Sequence, residues 1–234
     1  SFTFHKNVNG GVRVLLITNK HVLKGNGSKI RLTFHKKDDS GQPILGSNHQ
    51  IIIDNYMAYY EEHRDPNIDI ACLNISGFID TFSKEIFYIA LNEEMLATFD
   101  EEELDVAQNV TFVGYPNNRF DTAHNLPIVR RGLIASHPKV DFNGIKQFMI
   151  DAQVFPGSSG SPVFINLTYE NYKNGKIVVG KQKIKLLGVV AATMIRNNHI
   201  RPLPSNFVST GIQEVIGLGI IFKSTALKEM LEYV

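Results

Sequence analysis

The sequence predicts an all-β fold, a sandwich or a barrel, on three observations. Short β-rich runs recur along most of the chain, turn residues separate them, and only the last residues show clear helical spacing. In order, the runs are residues 12–17, 30–34, 51–53, 70–75, 110–113 and 128–134, then 163–165, 177–179, 184–192 and 216–222. Asn9-Gly10-Gly11, Asp39-Ser40-Gly41, Asn143-Gly144 and Asn174-Gly175 punctuate them as hairpin-type turns, because Asn and Gly tolerate positive φ. There is no internal repeat and no low-complexity tract. The opening Ser1-Phe2-Thr3-Phe4-His5 reads like the middle of a strand, which predicts a further strand or domain upstream.

Two places break the pattern. Residues 93–105 are acidic, with Met95, Leu96, Phe99 and Leu104 interspersed; a charge run of this kind reads as a solvated connection between two halves, or else as a docking site for a basic partner. At the end, Ser224 is placed as an N-cap, with Leu227, Met230 and Leu231 at helical spacing behind it. The organisation expected is a first half over 1–95, an acidic connection over 96–109, a second half over 110–222 and a short helix over 223–234.

Composition narrows the function classes. At 234 residues, 43% hydrophobic and 20% charged, the chain buries a substantial core without staples. A net charge of +1 gives no global field for nucleic acid or an anionic membrane, and no apolar run approaches the length of a membrane span. Nothing at the start resembles a signal peptide. Cys72 is the only cysteine, which excludes an intramolecular disulfide and a multi-cysteine metal site. This points to a cytoplasmic setting, with a periplasmic one as the alternative. His5, His35, His49, His63, His124, His137 and His199 show no metal-ligand spacing, and Arg130-Arg131 is too short to be a nucleic-acid patch.

Three segments carry chemistry. In Pro156-Gly157-Ser158-Ser159-Gly160-Ser161-Pro162, small residues surround a serine just before a strand. Glycines leave an uncrowded approach for a nucleophile, and such a turn can aim successive backbone N–H groups at a developing oxyanion. A Gly/Ser surface turn is the plainer reading. In Leu16-Ile17-Thr18-Asn19-Lys20-His21-Val22-Leu23, a histidine ends an apolar strand; alone it would read as a core histidine. In Asp69-Ile70-Ala71-Cys72-Leu73, a carboxylate heads an apolar strand, where burial is costly unless the charge is paired. Together each supplies what the others lack: a serine nucleophile needs a base, and the base needs a carboxylate to hold its tautomer.

On these residues the sequence resembles the chymotrypsin-fold (trypsin-like) serine peptidases, closest to the bacterial HtrA/Deg type. Thr18-Asn19-Lys20-His21-Val22 matches the segment carrying that family's base, and Asp69-Ile70-Ala71-Cys72-Leu73 the one carrying its aspartate. The run from Asp151-Ala152 to Pro156-Gly157-Ser158-Ser159-Gly160 matches its nucleophile motif. Gly114-Tyr115-Pro116 and the stretch from Gly217-Leu218-Gly219 to Ser224 match two further landmarks.

The resemblance implies two packed six-stranded antiparallel β-barrels with a short C-terminal helix and the site between the barrels. It implies a serine endopeptidase with His21, Asp69 and Ser159 as triad, Gly157 and Ser159 N–H groups as oxyanion hole, and Gln153, Ala191, Ala192 and Thr193 lining the substrate pocket. Its partner is a protein or peptide substrate, and no metal or organic cofactor is required. Two departures stand out. Ala191 occupies a position where digestive members have a serine hydroxyl supporting the carboxylate, so that bond is expected to be absent here unless Thr193 or a backbone group replaces it. Ser158 occupies the position of the aspartate that pairs with a new N-terminus in trypsin-type zymogens, so control is expected through ordering of the 155–158 loop, by a regulatory partner or an attached domain. The rival reading is a catalytically silent peptidase-like module that binds peptides or scaffolds an assembly; a role as the effector domain of a larger regulated protein is compatible with catalysis.

Overall fold

The computed structural model describes residues 1–25, 27–116, 120–155, 157–173, 176–200 and 210–234, giving the backbone path alone for 168–173, 176–182, 192–200 and 210–216. The expected Asn174-Gly175 turn lies outside the described residues. The first half opens with a hairpin of β1 (Phe2–Val8) and β2 (Gly11–Thr18), with Val8 paired to Gly11 and Gly10 at φ 95° in the turn. A one-turn helix α1 (Lys20–Leu23) follows, then the hairpin of β3 (Lys29–Lys37) and β4 (Pro43–Asp54). The Asp38 carboxylate closes that hairpin by accepting the N–H groups of Ser40 and Gln42, each at 2.9 Å. β5 (Tyr60–Glu62), β6 (Ala71–Asn74), α2 (Ser76–Thr81), β7 (Ile86–Phe87) and β8 (Ala90–Asn92) complete this half.

These strands form a five-stranded sheet in the order β5-β6-β2-β1-β8 and a three-stranded sheet, β4-β3-β7. Of the two six-stranded antiparallel barrels expected, the first is not seen as a closed barrel, and it differs in two respects. The ladder is divided between two sheets, and β8 runs parallel to β1, with Thr3 opposite Ala90. The cause lies in residues 86–92: this short segment pairs first with β3 through β7, then crosses to β1 through β8, so it joins the sheets by switching between them. Side chains of both sheets fill one core, with Val14 and Leu16 from β2, Ile51 and Ile53 from β4, and Leu73 from β6.

The second half is a closed six-stranded barrel built from β9 (Asn109–Gly114), β10 (Ile128–Ile134), β11 (Gln147–Asp151), β12 (Pro162–Lys173), β13 (Lys176–Ile200) and β14 (Thr210–Lys223). The two runs expected at 177–179 and 184–192 are parts of the single strand β13. β11, absent from the sequence reading, lies centrally between β10 and β14. The acidic 93–105 segment is solvated on one side only. Glu94, Asp100 and Glu102 are exposed, whereas Leu96, Phe99 and Leu104 are buried, and Ala97 N–H donates to Leu186 O at 3.0 Å.

The helix α3 (Ser224–Leu231) packs Ala226, Leu227, Met230 and Leu231 into a core shared with Phe4 and Ile17 of the first half and Val189 and Phe222 of the second. Ser224 is its first helical residue, not its N-cap. The buried hydroxyl donates to Ala97 O at 2.7 Å, which takes it away from the helix's own N–H groups. No helix among the described residues is long and apolar enough to cross a membrane. Because Leu227 is fully buried where both halves meet, Leu227→Ala should destabilise the protein by about 2–5 kcal/mol. Urea unfolding would measure this, and a loss under about 1 kcal/mol would contradict the packing described.

Candidate active site

The first half of the site follows from strand register. β2 and β6 pair antiparallel with Thr18 opposite Ala71, so the residues just after β2 emerge beside those just before β6. His21 is therefore brought to Asp69. The histidine sits on α1 rather than at a strand end, because the chain turns at Asn19 and closes one helical turn, with Lys24 N–H donating to Lys20 O at 2.9 Å. His21 Nδ1 is bonded to Asp69 Oδ2, and the backbone N–H of His21 donates to Asp69 Oδ1 at 3.1 Å. Both carboxylate oxygens are thus engaged by one residue. The imidazole remains half exposed, its side chain 52% accessible, and faces outward.

Two neighbours hold this pair. Asn19, fully buried, donates from Nδ2 to Asp69 O at 2.6 Å. Lys20 Nζ, on a buried side chain, donates to Asp65 O at 3.0 Å. Both residues fall inside the Thr18-Asn19-Lys20-His21-Val22 motif, which by itself assigns neither a role. Their polarity, between an apolar strand and the histidine, was the available signal. Ala191 supplies no hydroxyl to Asp69, whose Oδ1 accepts the His21 N–H, and the Thr193 side chain lies outside the description.

Ser159 lies on the loop between β11 and β12. Gly160 N–H donates to Val190 O and Val190 N–H donates to Ser161 O, each at 2.9 Å, which fixes the loop to β13. Ser159 Oγ donates to Ala191 O at 3.2 Å. Among the described residues no hydrogen bond joins Ser159 to His21. The two halves nonetheless touch here. Gly160 has φ 79°, and a Cβ on it would stand 2.6 Å from Thr18 Oγ1, at the end of the strand that leads to His21. The N–H groups of Gly157, at φ 89°, and Ser159 have no partner among the described residues.

The remaining expected residues are distributed around this loop. Ser158 is 1% exposed, its hydroxyl buried without a hydrogen-bond partner among the described residues, and its N–H donates to Phe155 O at 3.0 Å. Gln153 is exposed while Val154 beside it is buried in the barrel core. Ala191 is buried. Ala192 and Thr193 pair along the backbone with Ile220 and Gly219, and their side chains lie outside the description. Cys72 is fully buried behind the site, where loss of hydration pushes its thiol up to about 12 and leaves it unreactive. Among the described residues no group of three or more His, Cys, Asp or Glu is arranged to hold a metal ion.

Gly160→Ala should lower stability by about 1–3 kcal/mol, since the new methyl group meets Thr18 in a left-handed backbone. Gly144→Ala, also at positive φ but with open space around it, should cost less. Denaturation midpoints of the two variants would compare them directly, and equal losses would count against the close approach at Thr18.

No curated protein sequence matches the chain. A family model described as "Trypsin-like peptidase domain" matches residues 4–169, a span that holds β1 and β2, the His21–Asp69 pair, and the Ser159 loop. A closed barrel behind the serine loop and a histidine–aspartate pair set by the β2–β6 register agree with that match, and the chain belongs to the trypsin-like peptidase family.

Proposed function

We propose that this protein is a serine endopeptidase of the HtrA/Deg type, acting through His21, Asp69 and Ser159. The observation that carries the reading is the engagement of both Asp69 oxygens by His21, beside a serine loop that only a glycine at 160 lets approach. Ser159 Oγ attacks the scissile carbonyl, and His21 Nε2 accepts its proton and returns it to the leaving amine. Asp69 holds the Nδ1–H and stabilises the imidazolium. The free N–H groups of Gly157 and Ser159 receive the oxyanion. A protein or peptide is the substrate, and the chemistry needs no metal or organic cofactor. A bacterial source, a cytoplasmic setting and a role as the effector domain of a regulated protein belong to the same proposal.

The rival, a silent peptide-binding module, draws on the Ser159 hydroxyl being bonded to Ala191 O instead of the base. A fluorophosphonate probe decides between them. Labelling of the wild type, lost in Ser159→Ala and retained in Ser158→Ala, supports the peptidase, and an unlabelled wild type supports the module. On peptide substrates Ser159→Ala should lower kcat by about 10⁴-fold.

Substrate preference follows from the same loop. Gln153, six positions before the nucleophile, offers dipoles without charge, and the alanines of β13 are small. A buried lysine or arginine side chain would lack a counter-ion there. Profiling on a proteome-derived peptide library should therefore show cleavage mainly after uncharged residues, and a majority of cuts after Lys or Arg would overturn this.

A further inference from the structure

The turn at residues 62–69, which ends in Asp69, is held from two sides. On the site's side, Lys20 and Asn19 donate to the carbonyls of Asp65 and Asp69. Within the turn, His63 N–H donates to Ile70 O at 2.9 Å, Ile68 N–H donates to Asp65 O at 3.2 Å, and Asp65 N–H donates to His63 Nδ1 at 3.0 Å. On the far side stands Tyr233, just beyond α3. Its hydroxyl accepts the Arg64 N–H at 2.9 Å and donates to Glu62 O at 3.2 Å. The Arg64 guanidinium lies over its ring, 4.0 Å from the centroid.

A side chain that merely filled space would use its ring. Here the hydroxyl uses both its donor and its acceptor capacity on backbone groups two residues apart, which fixes the orientation of the peptide planes between them. The buried His63 sits at the centre of that stretch, with Nε2 3.5 Å from Glu229 of α3, itself paired with Lys146. The helix α3 and the residues just after it therefore contact the same turn that leads into Asp69. Small displacements at that point are amplified, because proton transfer depends steeply on alignment.

We propose that Tyr233 is a positioning residue for the triad, its hydroxyl clasping the Glu62 and Arg64 backbone and so holding Asp69 in register with His21. This rests on the peptidase reading for its kinetic consequence but not for its structural one, and the test separates the two. In Tyr233→Phe the ring and its stacking survive while both hydrogen bonds are lost. The maximal rate of fluorophosphonate acylation should fall about tenfold, with the probe's binding constant within about twofold of wild type and the unfolding midpoint little changed. The low-field proton resonance of the His21–Asp69 hydrogen bond should broaden or move upfield. Arg64→Ala, which removes the stacked cation but keeps the N–H, should leave both readouts near wild type.

An unaltered resonance and acylation rate in Tyr233→Phe would overturn the proposal, as would an equal effect from Arg64→Ala. Absence of the low-field resonance in the wild type would also overturn it. If the wild type shows the resonance yet is not labelled, the peptidase reading fails, and the comparison of resonances alone decides the clasp.

Discussion

The site depends on how closely two backbones can approach. The serine loop comes down on the end of β2 at Gly160, so near to Thr18 that a single added carbon would collide with it. That approach joins an element of the barrel to the strand from which the histidine emerges, and it succeeds because residue 160 has no side chain and accepts a left-handed conformation. The same device recurs on the barrel side. Gly114 faces the Ser161 hydroxyl and Gly188 lies against the backbone of Phe222, each without room for a β-carbon. Glycine placement, more than any one hydrogen bond, lets the loop lie where it does.

Around that contact the polar groups are disposed unevenly. The histidine–aspartate pair is well supplied, with Asn19, Lys20 and the His21 N–H all engaged. Both sides keep unpaired groups: among the described residues the Thr18 hydroxyl and the Asn19 side-chain oxygen on the histidine side, and the Ser158 hydroxyl on the serine side, are buried without hydrogen-bond partners. Unsatisfied buried groups cost roughly 1–3 kcal/mol each. Unused polar capacity thus remains on both sides of the contact, in the strand end before His21 and in the loop that carries Ser159.

Much of this was legible in the sequence, and the reasons for the rest are specific. The three motif segments were readable because each joins a chemically distinctive residue to a turn or a strand end. Strands such as β2 and β9 announce themselves through β-branched residues bounded by turn residues. β11 does not: residues 147–150 are all buried, so alternation is lost, and the stretch is too short to separate from a loop. The four-residue α1 and six-residue α2 are likewise below the length at which helical periodicity shows. The acidic segment misleads because its charges face water while the apolar residues between them enter the cores. Tyr233 gave no signal at all, since its partners are backbone groups far away in sequence.

That last separation bears on how the molecule is made. Arg64 and Tyr233 are 169 positions apart, and Glu62 and Tyr233 are 171 apart. During synthesis the ribosome releases the turn beside Asp69 long before the residue that fastens it. Contacts of such long range form late, after the loop between them has been closed at an entropic cost. The amino-terminal half, with its histidine and carboxylate, waits for the final helix before its turn is fastened. Release of the chain as far as Tyr233 is thereby built into maturation of the site, and a product cut before that residue would carry the same histidine and carboxylate without that restraint.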